Sequence, residues 1–474
     1  MSTTVPLCVD LDGTLLNSDL LLESAFAQLK HRPLAVIHWP RWLAAGKVRL
    51  KAELAALAEL DIETLPYHAA FLDFLREQRE QGRSLVLVTA AHRRLAEPIA
   101  EYLGLFDQVI ATEGERNLAG ARKAEALVAL YGERGFDYAG NSAVDVAVWR
   151  HSRRAIAVNA SAKVTALARA SAELERVFDD KGSRLKRWFR AARLHQWLKN
   201  VLIFVPLVAA HAWNDAGKIG LCLLAFLSFG WCASSVYLLN DLLDLAADRR
   251  HPRKCRRPFA AGTLPILHGA VAVPVLLSAA FLLSLAVNPP EFSACLVVYY
   301  GLTLTYSLRL KQVLMLDAIV LAGLYTLRII TGAVAAQLAL SFWMLAFSMF
   351  LFLSLALVKR YTELHALLQR GELDARGRGY QVDDLAILQS LGGSAGYLAV
   401  LVLALYINSP DVQHLYRHPL LIGFLCPLLL YWISRVWLLA HRGLMPDDPV
   451  IFALTDRVSQ GLVLIGALIF WSAL

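Results

Sequence analysis

The run Asn240-Asp241-Leu242-Leu243-Asp244-Leu245-Ala246-Ala247-Asp248 closes an apolar stretch long enough to cross a bilayer. On one continuous helix, Asp241, Asp244 and Asp248 fall at i, i+3 and i+7 and share a face. Ionisable groups at the end of a membrane helix are costly, and their default reading is a functional site. Three carboxylates this close repel one another unless a cation joins them. Hard oxygen ligands that leave positions open for phosphate oxygens suit Mg²⁺. The loop His251-Pro252-Arg253-Lys254-Cys255-Arg256-Arg257-Pro258 follows at once and is strongly basic. Acids, metal and cations together predict a diphosphate site at a membrane surface. A loop that served topology alone would need the cations but not the three acids.

A second set of acids stands near the N-terminus, in Asp10-Leu11-Asp12-Gly13-Thr14, directly after the apolar residues Leu7-Cys8-Val9. If those residues form a strand, Asp10 sits at its carboxyl end, where ligands bind in open α/β sheets. A nucleophilic carboxylate two residues from an acid/base carboxylate is the arrangement for phosphoryl transfer through an aspartyl phosphate. Gly13 permits the sharp turn between them.

Two regimes of composition must position these groups. The chain has 474 residues, 57% of them hydrophobic and 18% charged. Residues 1–180 read as an α/β domain: strand candidates at 6–9, 84–88, 108–111, 136–139 and 155–158 are separated by helical segments. That alternation predicts a parallel, doubly wound sheet. A helical block at about 19–80, between the first two strands, is expected to form a cap. Residues 181–197 combine Arg184, Lys186, Arg187, Arg190 and Arg193 with Leu185, Trp188, Phe189, Leu194 and Trp197, a basic amphipathic helix suited to an anionic membrane surface. The net charge of +8 is thus assigned to lipid, and no nucleic-acid partner is expected.

From 198 to 474 the sequence predicts an all-α polytopic domain of nine transmembrane helices, at 198–213, 218–241, 264–287, 292–308, 313–335, 341–358, 390–408, 419–440 and 450–473. Arginine and lysine concentrate after the second, fourth, sixth and eighth of these, including Arg309, Lys311, Arg370, Arg376, Arg378 and Arg442, whereas the alternate loops hold only Arg417. The N-terminal domain is therefore expected on the cytoplasmic side of a bacterial-type membrane and the C-terminus on the other. Arg328, inside the fifth run, is expected to pair with a buried acid or a phosphate. The six cysteines show no paired spacing and predict neither disulfides nor a zinc site. No cleaved leader is expected before Asp10.

Over about residues 5–160 the chain resembles the haloacid dehalogenase superfamily of phosphatases. The resemblance implies that Asp10 is the nucleophile and Asp12 the acid/base, that Thr89 after the second strand binds phosphate, and that Lys123 balances the charge of nucleophile and phosphate. Gly140-Asn141-Ser142-Ala143-Val144-Asp145 matches the family's Mg²⁺ loop, with Asn141 in place of its first acid. It implies metal ligation by Asp145, Asp10 and the carbonyl of Asp12, with Asn141 as a neutral ligand.

Over about 185–474 the aspartate-rich run resembles the UbiA superfamily of intramembrane transferases. Most members hold a prenyl diphosphate through Mg²⁺ and two aspartate-rich motifs. Here the second motif position reads Val358-Lys359-Arg360-Tyr361-Thr362-Glu363, and Asp383 and Asp384 have the wrong spacing. With Arg193-Leu194-His195-Gln196-Trp197-Leu198-Lys199-Asn200 and Arg256-Arg257-Pro258, the chain looks like the branch that moves phosphoribosyl from phosphoribosyl diphosphate to polyprenyl phosphate. Extra cations would suit a donor that carries an additional 5-phosphate. The resemblance implies Asp241 and Asp244 as the catalytic, Mg²⁺-binding acids, Asn240 and Asp248 as further ligands, and Lys199, Arg257, Lys359 and Arg360 on phosphate. Removal of the 5-phosphate by the N-terminal domain would follow, giving polyprenyl-phosphoryl ribose. The alternatives are a prenyltransferase with an accessory phosphatase, and a phosphatase anchored by a non-catalytic or transporting membrane domain.

Overall fold

The computed structural model describes residues 5–114, 117–179, 182–371, 379–409, 416–446 and 448–474, so Arg376 and Arg378 lie outside the described residues. It divides into two units, Met1–Ala192 with Tyr237–Pro274, and Arg193–Val236 with Val275–Leu474.

The first unit is built on a six-stranded parallel sheet. Its strands are β1 (Leu7–Val9), β2 (Leu85–His92), β3 (Gln108–Thr112), β4 (Asp137–Gly140), β5 (Arg154–Val158) and β6 (Glu173–Phe178), in the order β3-β2-β1-β4-β5-β6. Side chains alternate across the sheet. Leu7, Val9, Leu85 and Leu87 enter the core on one face. Cys8, Val86, Val88 and Tyr138 enter the core on the other. Both faces are covered, as a parallel sheet requires. Strand β1 pairs with both β2 and β4, with Leu7 opposite Leu85 and Asp137. The strand order reverses between β1 and β4, which makes their carboxyl ends the switch point where ligands collect.

The cap is shorter than the sequence predicts. Helices Leu20–His31 and Lys47–Leu57 flank a 3₁₀ turn, Pro33–His38, and a short helix, Trp39–Ala44. Helix Ala69–Glu80, expected within the cap, instead buries Phe71, Leu72, Phe74 and Leu75 in the sheet's core. Strand β6 was not expected at all. Its sequence, Glu-Leu-Glu-Arg-Val-Phe, is charged because it forms an edge and exposes most of its side chains.

The nine expected spans are not all present as such. Among the described residues six helices are long and apolar enough to cross a membrane: Ala216–Leu243, Ile266–Val287, Leu316–Ala335, Phe342–Leu368, Val382–Ile407 and Pro419–His441. A seventh crossing arises if Pro449–Thr455 and Arg457–Ala473, bent by 70° at their junction, act as one span. The first expected span is a shorter apolar element, Leu194–Ala209, that is largely 3₁₀. The fourth, Pro290–Leu308, has 19 residues but carries Tyr, Thr and Ser, which lower its hydropathy. The basic linker forms only Arg184–Ala191, and Arg193 then turns left-handed at φ 50°.

Candidate functional site

The crevice at the switch point is a cavity of about 380 Å³ whose lining includes Asp10, Asp12, Asp19, Lys51, Lys123 and Asn141. Asp10 follows β1 and accepts from Lys123 Nζ at 2.7 Å. Lys123 also donates to the Tyr138 hydroxyl at 2.9 Å, and that hydroxyl donates to Asp145 Oδ1 at 2.9 Å. A buried relay Asp10–Lys123–Tyr138–Asp145 thus spans the ends of β1 and β4. Burial pushes the Asp10 carboxyl up to about 6, although Lys123 pulls the other way. Burial, then the neighbouring charge of Asp19, also raises Asp12, and the Leu20 amide donates to Asp12 Oδ1 at 2.9 Å.

Gly13 has φ +76°, and a Cβ there would fall 1.9 Å from Asn141 Nδ2. The Asn141 amide therefore lies directly over the turn that joins the two acids. Asp145 is engaged differently from the sequence expectation. Its Oδ2 accepts from the Asn141 and Ser142 amides at 3.1 and 2.9 Å and from Ser142 Oγ at 2.9 Å. With Oδ1 on Tyr138, both oxygens serve to shape the loop. Among the described residues no three His, Cys, Asp or Glu are grouped to hold an ion alone. Asp10, Asp12 and Asn141 all line the cavity, a mixed set of oxygen donors of the kind Mg²⁺ accepts.

Thr89 is buried and does not line the cavity, and its Oγ1 accepts from the Ala91 amide at 2.9 Å. Ala90, Ala91 and His92 form the lining there. Lys51 was not singled out from sequence. It reaches in from the cap helix Lys47–Leu57 and donates to the Ala90 carbonyl at 2.7 Å and Asn117 Oδ1 at 3.0 Å. Burial lowers its pKa. The one available signal was its membership of a cap helix, which does not say which lysine turns inward.

The aspartate-rich segment belongs to the same unit. It is not one helix: Ala216–Leu243 ends, Asp244 adopts φ −101°, ψ 15°, and a new helix runs Leu245–Arg250. The single acidic face is thereby broken. Asp241 and Asp248 converge on Arg257 Nη1, at 3.0 and 2.6 Å. Asp244 instead accepts from Lys30 of the cap at 2.7 Å. Two further ion pairs join cap and segment, Arg249 with Glu23 at 2.5 Å and Arg250 with Asp61 at 2.6 Å. Asn240 Oδ1 is a buried oxygen with no hydrogen-bond donor among the described residues. That orphan acceptor beside two converging acids fits a hard cation. Arg257 occupies the position where such a cation would balance them.

In the second unit Lys199 is ion-paired with Asp448, which also caps Pro449–Thr455 by accepting from the Val450 and Ile451 amides at 3.1 and 3.3 Å. Lys199 lies 5.5 Å from the Tyr325 ring centre. Lys359 shares this field with Lys199, Asp448 and Glu363. Arg360 does not fit the phosphate role implied by resemblance. It is buried and paired with Asp317 and Glu363, each at 2.5 Å. Arg328, expected to meet an acid or a phosphate, bonds Asn200 Oδ1 at 3.1 Å and the Leu324 carbonyl at 2.6 Å. It also lies within 5.1–5.6 Å of the Phe229, Tyr299 and Tyr325 ring centres.

Sheet, switch-point acids and apolar helices define a haloacid dehalogenase-like domain joined to a membrane transferase domain. Residues 7–150 match haloacid dehalogenase-like hydrolases. Residues 201–452 match the UbiA prenyltransferase family, and the chain belongs to that family. It is an integral membrane protein. It is 38% identical to the uncharacterized protein y4nM of Sinorhizobium fredii, over 98% of this chain and 90% of that one. It is 39% identical to nodulation protein NoeC of Azorhizobium caulinodans, over 58% of this chain and 89% of the relative. Decaprenyl-phosphate phosphoribosyltransferase of Mycobacterium tuberculosis is 31% identical, over 58% of this chain and 90% of its own.

Proposed function

We propose that the protein transfers 5-phosphoribosyl from phosphoribosyl diphosphate to a polyprenyl phosphate and then removes the 5-phosphate, leaving polyprenyl-phosphoryl ribose. The observation that carries this reading is that the switch-point cavity with Asp10 and Asp12 and the aspartate-rich segment share one compact unit and one cap helix. Likeness to the phosphoribosyltransferases supports the first step and the haloacid dehalogenase-like domain the second.

In the transfer, an oxygen of the lipid phosphate attacks the anomeric carbon as the bond to diphosphate breaks. The nucleophile is already an anion, so no strong base is needed. Asn240, Asp241 and Asp248 would hold Mg²⁺, which offsets the charge growing on the leaving diphosphate. Asp244 would join them on leaving Lys30. Arg257 would trade its carboxylates for donor phosphate oxygens, and Lys199 and Lys359 would serve the phosphates of lipid and donor.

In the hydrolysis, Asp10 attacks phosphorus while Asp12, held protonated by its buried setting, gives its proton to the departing ribose oxygen. Water then attacks the aspartyl phosphate, Asp12 takes the water's proton, and inorganic phosphate leaves. Lys123 and the buried Thr89 would steady the phosphoryl oxygens, Thr89 after a local shift. Asp145 would keep the loop shaped, with Asn141 as the neutral metal ligand.

The ion pairs between cap and aspartate-rich segment support placing both reactions on the cytoplasmic side, where the cations concentrate. The test is to incubate the purified protein with Mg²⁺, polyprenyl phosphate and ribose-labelled phosphoribosyl diphosphate, then to weigh the lipids. Dephosphorylated ribosyl lipid is expected, and Asp10→Asn should accumulate the 5-phosphorylated form. Unlabelled lipid with intact donor would overturn the reading in favour of prenyl transfer.

A further inference from the structure

The cap carries a surface that neither reaction explains. Between helices Leu20–His31 and Lys47–Leu57, the 3₁₀ turn Pro33–His38 and helix Trp39–Ala44 contain no buried residue. Leu34 is 78% exposed, Ile37 70% and Leu43 53%, with Val36 also open. Contiguous exposed apolar side chains of this size mark an interaction site. Trp39 and Trp42 lie among them, and Trp39 is anchored by donating its indole N–H to Gln28 Oε1 at 2.9 Å. The surrounding charge has one sign. No acid occurs between Glu23 and Glu53, whereas Lys30, Arg32, Arg41, Lys47, Arg49 and Lys51 all do. Apolar residues, tryptophans and cations without acids are the composition of a segment seated in an anionic lipid interface.

Position gives an independent argument. Lys30 is bonded to Asp244, which directly follows the membrane helix Ala216–Leu243. The exposed segment therefore begins within a few residues of a side chain pinned to the end of a span. A protein partner would have no such reason to meet the cap at the edge of the bilayer.

We propose that residues 33–44 seat the phosphatase cap in the headgroup layer of an anionic membrane, with Leu34, Ile37 and Leu43 inserted. This deepens the proposed function and rests on it for one consequence: a lipid-linked phosphomonoester can enter the cavity, into which the cap places Leu20, Leu21, Lys51 and Leu54, without leaving the bilayer.

The test uses the full chain in phosphatidylglycerol/phosphatidylethanolamine vesicles. The half-exposed Cys255, Cys295 and Cys426 are replaced by serine, and a nitroxide is attached to Ile37→Cys. Greater relaxation by oxygen than by a water-soluble nickel chelate is expected. Greater relaxation by the chelate would overturn the proposal. Shielding from both reagents would overturn it in favour of a protein contact, such as a second copy of the chain. In parallel, Leu34→Asp with Ile37→Asp should raise KM for the 5-phosphorylated ribosyl lipid about tenfold and leave ribose 5-phosphate hydrolysis unchanged. Equal effects on both substrates would overturn the delivery role. Wild-type protein that hydrolyses ribose 5-phosphate but never the lipid ester would refute the proposed function instead, while the nitroxide still decides insertion.

Discussion

Burial raises the pKa of both Asp10 and Asp12, which couples the stability of the N-terminal domain to pH and metal. An unfolded aspartate titrates at about 3.9, whereas Asp10 is pushed up to about 6 and Asp12 is raised as well. Between those values the folded domain retains protons that the unfolded chain has lost. The stabilisation is present below the unfolded pKa and is lost as pH rises through the folded one. Metal-free protein should therefore lose thermal stability as pH rises from the unfolded value through the folded one. Mg²⁺, which needs the ionised acids, should raise Tm more at about pH 8 than at about pH 5. Scanning fluorimetry with EDTA or Mg²⁺ checks this, and a pH-independent metal effect would count against Asp10 as a ligand. Asn141 gives a companion prediction. Asn141→Asp is nearly isosteric over Gly13 and restores a charge, so it should lower the Mg²⁺ concentration for half-maximal hydrolysis several-fold. The neighbours Lys359 and Arg360 should separate cleanly. Arg360→Met strands buried Asp317 and should cost about 3–5 kcal/mol, seen as a large fall in Tm. Lys359→Met should cut transfer while Tm changes little.

Helix Leu20–His31, 12 residues and about 18 Å long, meets Asp12 through the Leu20 amide at one end and Asp244 through Lys30 at the other. Midway, Glu23 meets Arg249, and both side chains are almost fully buried. Glu23→Ala leaves that arginine uncompensated and should destabilise the unit by about 3–5 kcal/mol, whereas Glu23→Met with Arg249→Met should recover most of the loss. Thermal melts of the single and double variants measure the coupling, and additive losses would argue that the pair does not hold cap to segment. The helix was legible in the sequence as the start of the helical block at about 19–80, and so were strands β1 to β5, because apolar runs separated by helices have few other solutions. What it does was not legible. Nothing in Asn240–Asp248 breaks a helix, as the run lacks both glycine and proline. The turn at Asp244 accompanies a bond to Lys30, 214 residues earlier. Asp448 escaped notice for the same reason, since its partner Lys199 lies 249 residues away. Motif order pointed to Asp10, Lys123 and Asp241 as candidates, but the pairing of Arg360 with Asp317, 43 residues earlier, could not be read from motif order.

Charge and contact together constrain how the whole chain threads the bilayer. The basic loop after Ala216–Leu243 and the cations near the end of Phe342–Leu368 must share a side if the positive-inside rule holds. Four helices separate them: Ile266–Val287, Pro290–Leu308, Leu316–Ala335 and Phe342–Leu368. The parity works only if Pro290–Leu308 crosses despite its polar residues. On that rule the cap's bonds to Asp244, Arg249 and Arg250 would place the N-terminal domain on the same side. The chain must then reach Ala216 on the opposite side, so Leu194–Ala209 has to traverse although it is short and partly 3₁₀. Val382–Ile407 and Pro419–His441 would then return Arg442 to the cytoplasmic side, and the 70° pair Pro449–Thr455 and Arg457–Ala473 would decide where Leu474 lies. Asp456 at the bend bonds Arg435 at 2.8 Å and caps the second helix through the Ser459 amide at 2.8 Å. Its polar needs are thereby met inside the protein, and a bent span can be tolerated at depth. We expect a full crossing. Alkaline phosphatase fused after Leu474 should be active, and a green fluorescent protein fused there should be dark. A fluorescent fusion would make the bent pair a re-entrant element and leave both termini in the cytoplasm.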